Sequence, residues 1–270
     1  MKQQRAIFIT GAASGIGRAT AVLFHEKGWF VGCYDVDEDA LQRLQKELGS
    51  GCVTSCLDVR DKVGFDLAVA GFAEHTGSRL DVMFNNAGIA VGGHFEEMPF
   101  DKIMDMVNTN FIGVLNGIYA AIPLLKQTEN SLCFTTSSSA ATFGAPGLAV
   151  YAATKFGVKG LTEALSVELA RCGSRAADVL PGIIDTAIWK SDRYVDGEVA
   201  STFESVPRMN AGRSDASRTI APSEVAACVW NAYHGNELHW YVPPELVERE
   251  REKLESPERM RDEMITQRRQ

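Results

Sequence analysis

Short runs of apolar, β-branched and aromatic residues alternate along the chain with longer stretches whose apolar positions recur at helical spacing. The short runs fall at 6–10 (AIFIT), 30–34, 52–57, 81–84, 131–136, 176–180 and 238–242, and helical patterns fill 15–28, 38–48, 61–76, 99–128, 151–171 and 222–234. Strand and helix in strict alternation predict an α/β fold: one doubly wound, seven-stranded parallel sheet with helices on both faces, joined by right-handed crossovers.

Two stretches depart from the alternation. Between Asp185 and Ala221 the chain mixes Trp189, Tyr194, Gly197, Phe203, Pro207 and Gly212 with polar residues, so about 186–221 reads as a lid or binding loop. After Pro243-Pro244, residues 245–270 carry 8 acids and 7 bases, and Ser256-Pro257-Glu258 reads as an N-cap followed by proline in the first helical turn, which splits the tail into two short helices. Its sparse apolar positions, Leu246, Val247, Leu254, Met260, Met264 and Ile265, suggest packing on the body or on a neighbouring subunit. The expected organisation is one catalytic domain over 1–244 with a charged helical extension over 245–270.

Composition narrows the function classes. Hydrophobic residues at 45% and charged residues at 23% describe a chain with a sizeable core. The formal charge of −8 argues against a partner gripped by bulk electrostatics, whether nucleic acid or anionic membrane, so an anionic ligand must be held locally. The six cysteines are scattered without zinc spacing, and Met1 to Ile9 contains neither a secretory core nor a spanning helix, so a cytoplasmic protein with free thiols and no bound metal is expected.

Chemistry begins at the first strand–helix turn, Thr10-Gly11-Ala12-Ala13-Ser14-Gly15-Ile16-Gly17. Gly11 permits a tight turn, Gly15 lets backbone approach a pyrophosphate, and Gly17 lets helix and strand pack closely, while the helix N-terminus offers N–H groups and a positive partial charge. This is a Rossmann-type phosphate site built without lysine. Asp35 ends the second strand, where a carboxylate can accept both adenosine ribose hydroxyls and repel a 2′-phosphate. No basic residue lies within the glycine turn or between Asp35 and Arg43, which favours NAD over NADP. Helix capping is the plainer role for Asp35 and also for Asp58, which otherwise reaches the adenine amino group.

At the other end, Tyr151 and Lys155 stand one helical turn apart on a shared face. A phenol with an ordinary pKa of about 10 needs a nearby cation to serve as a base at neutral pH, and lysine supplies one. Ser137, Ser138 and Ser139 close the fifth strand, where a hydroxyl can donate to a substrate oxygen; the residues alone do not separate the three. Asn108-Thr109-Asn110 interrupts an apolar helical pattern, a local rule violation of the kind functional sites show.

Together these motifs, with Asn85-Asn86-Ala87-Gly88 and Pro181-Gly182-Ile183-Ile184-Asp185-Thr186, resemble the NAD(P)-dependent short-chain dehydrogenases/reductases over about residues 5–243. The resemblance implies a tetrad of Asn110, Ser138, Tyr151 and Lys155, the spacing to the tyrosine selecting Ser138. It implies cofactor contacts from Gly11, Ser14, Gly15, Ile16, Gly17, Asp35, Asp58, Val59, Asn86, Ala87, Gly88, Tyr151, Lys155, Pro181, Gly182, Ile184 and Thr186. Asn86 to Gly88 would line the adenosine ribose, Lys155 the nicotinamide ribose, and Ile184 with Thr186 the carboxamide. Ala141, where glycine is common, and the long tail depart from the pattern.

The reaction expected is interconversion of a secondary alcohol and its ketone with NAD. Ser138 would polarise the substrate oxygen, Tyr151 would move the proton, Lys155 would lower the tyrosine pKa, and Asn110 would position a relay water. The alternative is an NADPH-preferring ketoreductase of the 3-oxoacyl type; a non-catalytic dinucleotide sensor would not need all four tetrad residues. Val91, His94, Ser138, Phe143, Ala145, Ile188 and Trp189 form the expected substrate pocket, an apolar set that suits a hydrophobic small molecule, with Arg193 and Arg208 available to a carboxylate. A homodimer or homotetramer is expected, with helices 99–128 and 151–171 at the interface.

Overall fold

The computed structural model describes residues 4–202 and 218–268. In chain order the elements are β1 (Ala6–Thr10), α1 (Gly15–Glu26), β2 (Phe30–Asp35), α2 (Glu38–Leu48), β3 (Cys52–Cys56), α3 (Lys62–Thr76), β4 (Val82–Asn85), α4 (Phe100–Val107), α5 (Gly113–Gln127), β5 (Leu132–Thr136) and α6 (Ala149–Ala170). Then follow β6 (Arg175–Pro181), β7 (Ile183–Ile184), β8 (Asp192–Val195), β9 (Glu198–Thr202), β10 (Thr219–Ile220), α7 (Pro222–His234), β11 (His239–Val242), α8 (Leu246–Glu255) and α9 (Pro257–Arg268).

The central sheet has seven strands in the order β11-β6-β5-β4-β1-β2-β3, all parallel. β1 is an interior strand beside the central β4 and buries every side chain, which is why its sequence is apolar at consecutive positions. Successive residues serve opposite cores. Ile7 and Ile9 pack with Phe24, Leu41, Leu44, Val225 and Val229 beneath α1, α2 and α7. Ala6 and Phe8 pack with Phe65, Phe72, Val114, Ile118 and Val158 beneath α3, α5 and α6. The chain reverses its direction of growth between β1 and β4, and the functional cleft opens there, outside the carboxyl ends of the strands.

Residues 99–128 do not form one uniform helix. α4 and α5 are joined by a π-helical turn over Asn108–Ile112, and a single apolar periodicity cannot reveal that change of phase. The stretch expected as a lid contains the antiparallel hairpin β8–β9, turned at Asp196 and Gly197 with φ of 50° and 82°. Phe203, Pro207, Arg208 and Gly212 lie outside the described residues. The tail is two helices broken at Ser256-Pro257. Leu246 is buried, whereas Leu254 and Ile265 face solvent in the single chain and so do not pack on the body. No helix of the described residues is long and apolar enough to cross a membrane.

Candidate active site

The glycine turn is held in shape from both sides. Gly11 and Gly15 have φ of 65° and 51°, a conformation that disfavours any side chain. A Cβ on Gly17 would lie 2.1 Å from the Gly11 carbonyl oxygen, so only glycine lets α1 start this close to the turn. Asn86 fastens the turn to β4: its side-chain amide donates to the carbonyls of Thr10 (3.0 Å) and Gly11 (3.3 Å), and its oxygen accepts from Thr136 (3.1 Å). The Asn86 carboxamide is thus spent on protein groups, leaving the backbone of 86–88 to face a ligand.

Asp35 stands at the tip of β2 with one oxygen accepting from Ala13 N at 3.0 Å and the other from Asp37 N at 3.1 Å. It braces the turn and still lines the cleft. Asp58 and Val59 line it too. The Asp58 carboxylate is held below the usual range by hydrogen bonds from Arg60, which pairs with it at 2.6 Å and with Asp105 at 3.2 Å. Sequence reading passed over Arg60, a cation on the cleft wall, although Asp58-Val59-Arg60 directly follows β3.

One continuous cleft of about 620 Å³ runs from Asp35 past the glycine turn to Phe143 and Trp189. Its wall includes Gly11, Ser14, Gly15, Ile16, Asn86, Ala87, Gly88, Pro181, Gly182, Ile184 and Thr186, together with Ser138, Tyr151 and Lys155. Gly17 and Asn110 sit behind that wall. The apolar end is formed by Phe143, Ala145, Ile188 and Trp189, with Leu148, Ile89 and Ala90 unforeseen. Val91 and His94 do not line the cleft. Val91 packs into a small core with Met98, Ile103, Met106, Val150 and Tyr194, its amide donating to Met106 Sδ at 3.3 Å, and His94 is exposed ahead of a short 3₁₀ turn.

The structure separates the three serines. Ser137 Oγ donates to the carbonyl of Lys155 at 3.0 Å and is spent, and Ser139 begins a 3₁₀ turn. Ser138 caps that turn, its oxygen accepting from Ala140 N at 3.1 Å, and its hydroxyl neighbours the Tyr151 phenol closely enough to lower its pKa. Lys155 is buried, donates from Nζ to Thr136 O at 2.8 Å, and lies 5.7 Å from the Tyr151 ring centre. Burial lowers its pKa to about 8.

Burial raises the Tyr151 pKa, and the neighbouring Ser138 hydroxyl opposes that rise. The Asn110 side chain is buried and does not line the cleft: its oxygen accepts from Ile89 N and its amide donates to Ile89 O, both at 2.9 Å, and to Thr154 Oγ1 at 3.4 Å. It clamps the strand-end segment to the π-turn instead. Among the described residues, no group of three His, Cys, Asp or Glu side chains is placed to hold a metal ion.

Comparison with known proteins agrees with this geometry. The short chain dehydrogenase family model matches residues 5–195. The putative oxidoreductase SadH of Mycobacterium tuberculosis is 36% identical over 200 residues, covering 72% of each chain. The 3-oxoacyl-[acyl-carrier-protein] reductase FabG of Thermotoga maritima is 35% identical over 181 residues, 66% of this chain and 73% of that one. Among solved structures, a short chain dehydrogenase/reductase from Burkholderia phymatum in complex with NAD superposes with a TM-score of 0.83 at 25% identity, covering 94% of this chain and 96% of that one.

Proposed function

The chain belongs to the short chain dehydrogenase family, and from that premise we propose that it is an NAD-dependent oxidoreductase interconverting a hydrophobic secondary alcohol and its ketone. The observation that carries this reading is the placement of Ser138, Tyr151 and Lys155 together on the cleft wall, at the meeting point of a glycine-lined channel and an apolar pocket.

The residues present fit a nicotinamide dinucleotide. The turn presents backbone where a Cβ would intrude, α1 points its N-terminus at the channel, and Asp35 stands at the adenosine end. When bound, a nicotinamide dinucleotide would supply the hydride acceptor or donor. In alcohol oxidation the Ser138 hydroxyl donates to the substrate oxygen and the Tyr151 phenolate takes the hydroxyl proton. Lys155 contributes the protein's own positive charge to hold that phenolate, and its carbonyl hydrogen bond fixes where the charge sits. Asn110 positions the Ile89 segment that forms part of the cleft floor.

Asp35 supports NAD over NADP. The nearby cation, Arg60, has its guanidinium engaged by Asp58 and Asp105, which leaves it poorly disposed to receive a 2′-phosphate. The test is direct: purified protein with NAD and a panel of hydrophobic secondary alcohols should raise absorbance at 340 nm, with higher kcat/KM for NAD than NADP. No turnover across the panel and the matching ketones would overturn the reading, and NADP preference would favour the 3-oxoacyl ketoreductase alternative. Exposed apolar side chains on the two longest helical stretches, Phe100, Tyr119 and Val167, support a homodimer or homotetramer, which light scattering at micromolar protein checks.

A further inference from the structure

α8 presents Leu246, Arg249, Glu250 and Lys253 at the i, i+3, i+4, i+7 spacing of a single face. Only the first is apolar, and it is buried. The other three meet specific partners. The Arg249 guanidinium lies 4.8 Å from the centre of the Phe143 ring, and Lys253 Nζ lies 4.6 Å from that of Phe156. Glu250 accepts from both the Lys159 ammonium and the Tyr241 hydroxyl.

These partners are not scattered over the body. Phe156 and Lys159 belong to α6, which carries Tyr151 and Lys155, and Phe143 lies in the segment from Ser138 to α6, at the apolar end of the cleft. Turning charged side chains toward a packed face is costly compared with leucine, so the stripe is poorly explained as mere adhesion. Among the described residues Arg249 forms no ion pair, while Arg251, two positions on, pairs with Glu248. Arg249 is not on the cleft wall, so it reaches a ligand only through the ring it covers.

The geometry points to Arg249 as a positioning residue for substrate: through Phe143, the C-terminal helix sets the wall on which the apolar part of the alcohol rests. Discrimination between bulky and short alcohols then depends in part on a residue far along the chain from the tetrad. This rests on the dehydrogenase reading above.

Two arms test it on the full chain. With NAD and 1-phenylethanol as probe, Arg249→Ala should raise KM about three- to tenfold. The KM for 2-propanol, kcat and the affinity for NADH should all change by about twofold or less. Arg249→Lys should restore most of the loss, and Arg249→Ala placed on Phe143→Ala should add nothing further. An unchanged KM for 1-phenylethanol, an equal loss for both alcohols, or additive effects in the double variant would overturn the inference. The second arm needs no turnover: hydrogen exchange of amides 139–148 should speed up in Arg249→Ala and not in Arg249→Lys, and unchanged exchange overturns it. A wild-type protein inactive on every alcohol counts against the dehydrogenase reading and leaves the exchange arm to decide this one.

Discussion

The ammonium of Lys155 sits inside the protein with the backbone carbonyl of Thr136 as its acceptor at 2.8 Å. Burial brings its pKa from 10.5 down to about 8. Between those values the unfolded chain keeps a proton that the folded chain has lost, so stability rises with pH through that window. Below about 8 both states are charged, and the fold carries the full cost of burying the cation. Lys155→Met should therefore unfold at higher temperature at pH 7, by about 1–3 kcal/mol, with the gain shrinking between pH 8 and 10.5 while turnover is lost. Thermal unfolding across pH checks the sign.

Removing one oxygen atom separates chemistry from binding. Tyr151→Phe should lower kcat by about 10²–10⁴ and leave NADH affinity near wild type, read by fluorescence titration. A variant with wild-type rate would remove Tyr151 from the mechanism.

The glycine turn offers a steric test. In Gly17→Ala the new Cβ would meet the Gly11 carbonyl at 2.1 Å, backbone against backbone, and the turn must open. A loss of about 1–3 kcal/mol in stability is expected, with weakened NADH binding.

Asp35 has two jobs, and its replacement should show both. Asp35→Ala removes the acceptor for Ala13 N and the charge that opposes a 2′-phosphate. The KM for NAD should rise about tenfold, and the NAD:NADP ratio of kcat/KM should fall further than KM alone explains.

Asn110→Ala should remove the side-chain partner of both Ile89 N and Ile89 O, which are partly buried. The expected cost is about 2 kcal/mol in denaturant unfolding, together with reduced kcat.

Much of this protein is readable from its residues because parallel strands and phosphate turns leave local marks. Buried strands such as Ala6–Thr10 are apolar throughout, and Gly11, Gly15 and Gly17 occur where backbone must bend or approach backbone. The proposed tetrad came from the family resemblance, with spacing choosing Ser138, although only packing shows that Ser137 is spent on the Lys155 carbonyl and that Asn110 bonds Ile89. Val91 and His94 were misplaced because the chain leaves the cleft after Ala90, drawn to the β8 side by hydrogen bonds from Gly92 to Asp192 and from Tyr194 to Gly92. The β8–β9 hairpin had a sign in Asp196-Gly197, a dipeptide suited to a two-residue turn. Contacts such as Arg249 with Phe143 join segments a hundred residues apart and leave no local mark at all.

The π-turn over Asn108–Ile112 has a mechanical meaning. Before it, Ile103 and Met106 of α4 point into the small core beside Tyr194 of the hairpin; after it, Val114 and Ile118 of α5 point into the core beneath the sheet. One rod thus meshes with two different gears, and the wider turn is the offset between their teeth. A single-residue deletion there would leave each half well packed in isolation while rotating one against the other. The surplus residue is what allows the hairpin side and the sheet side to be gripped by the same shaft, with Asn110 at the joint.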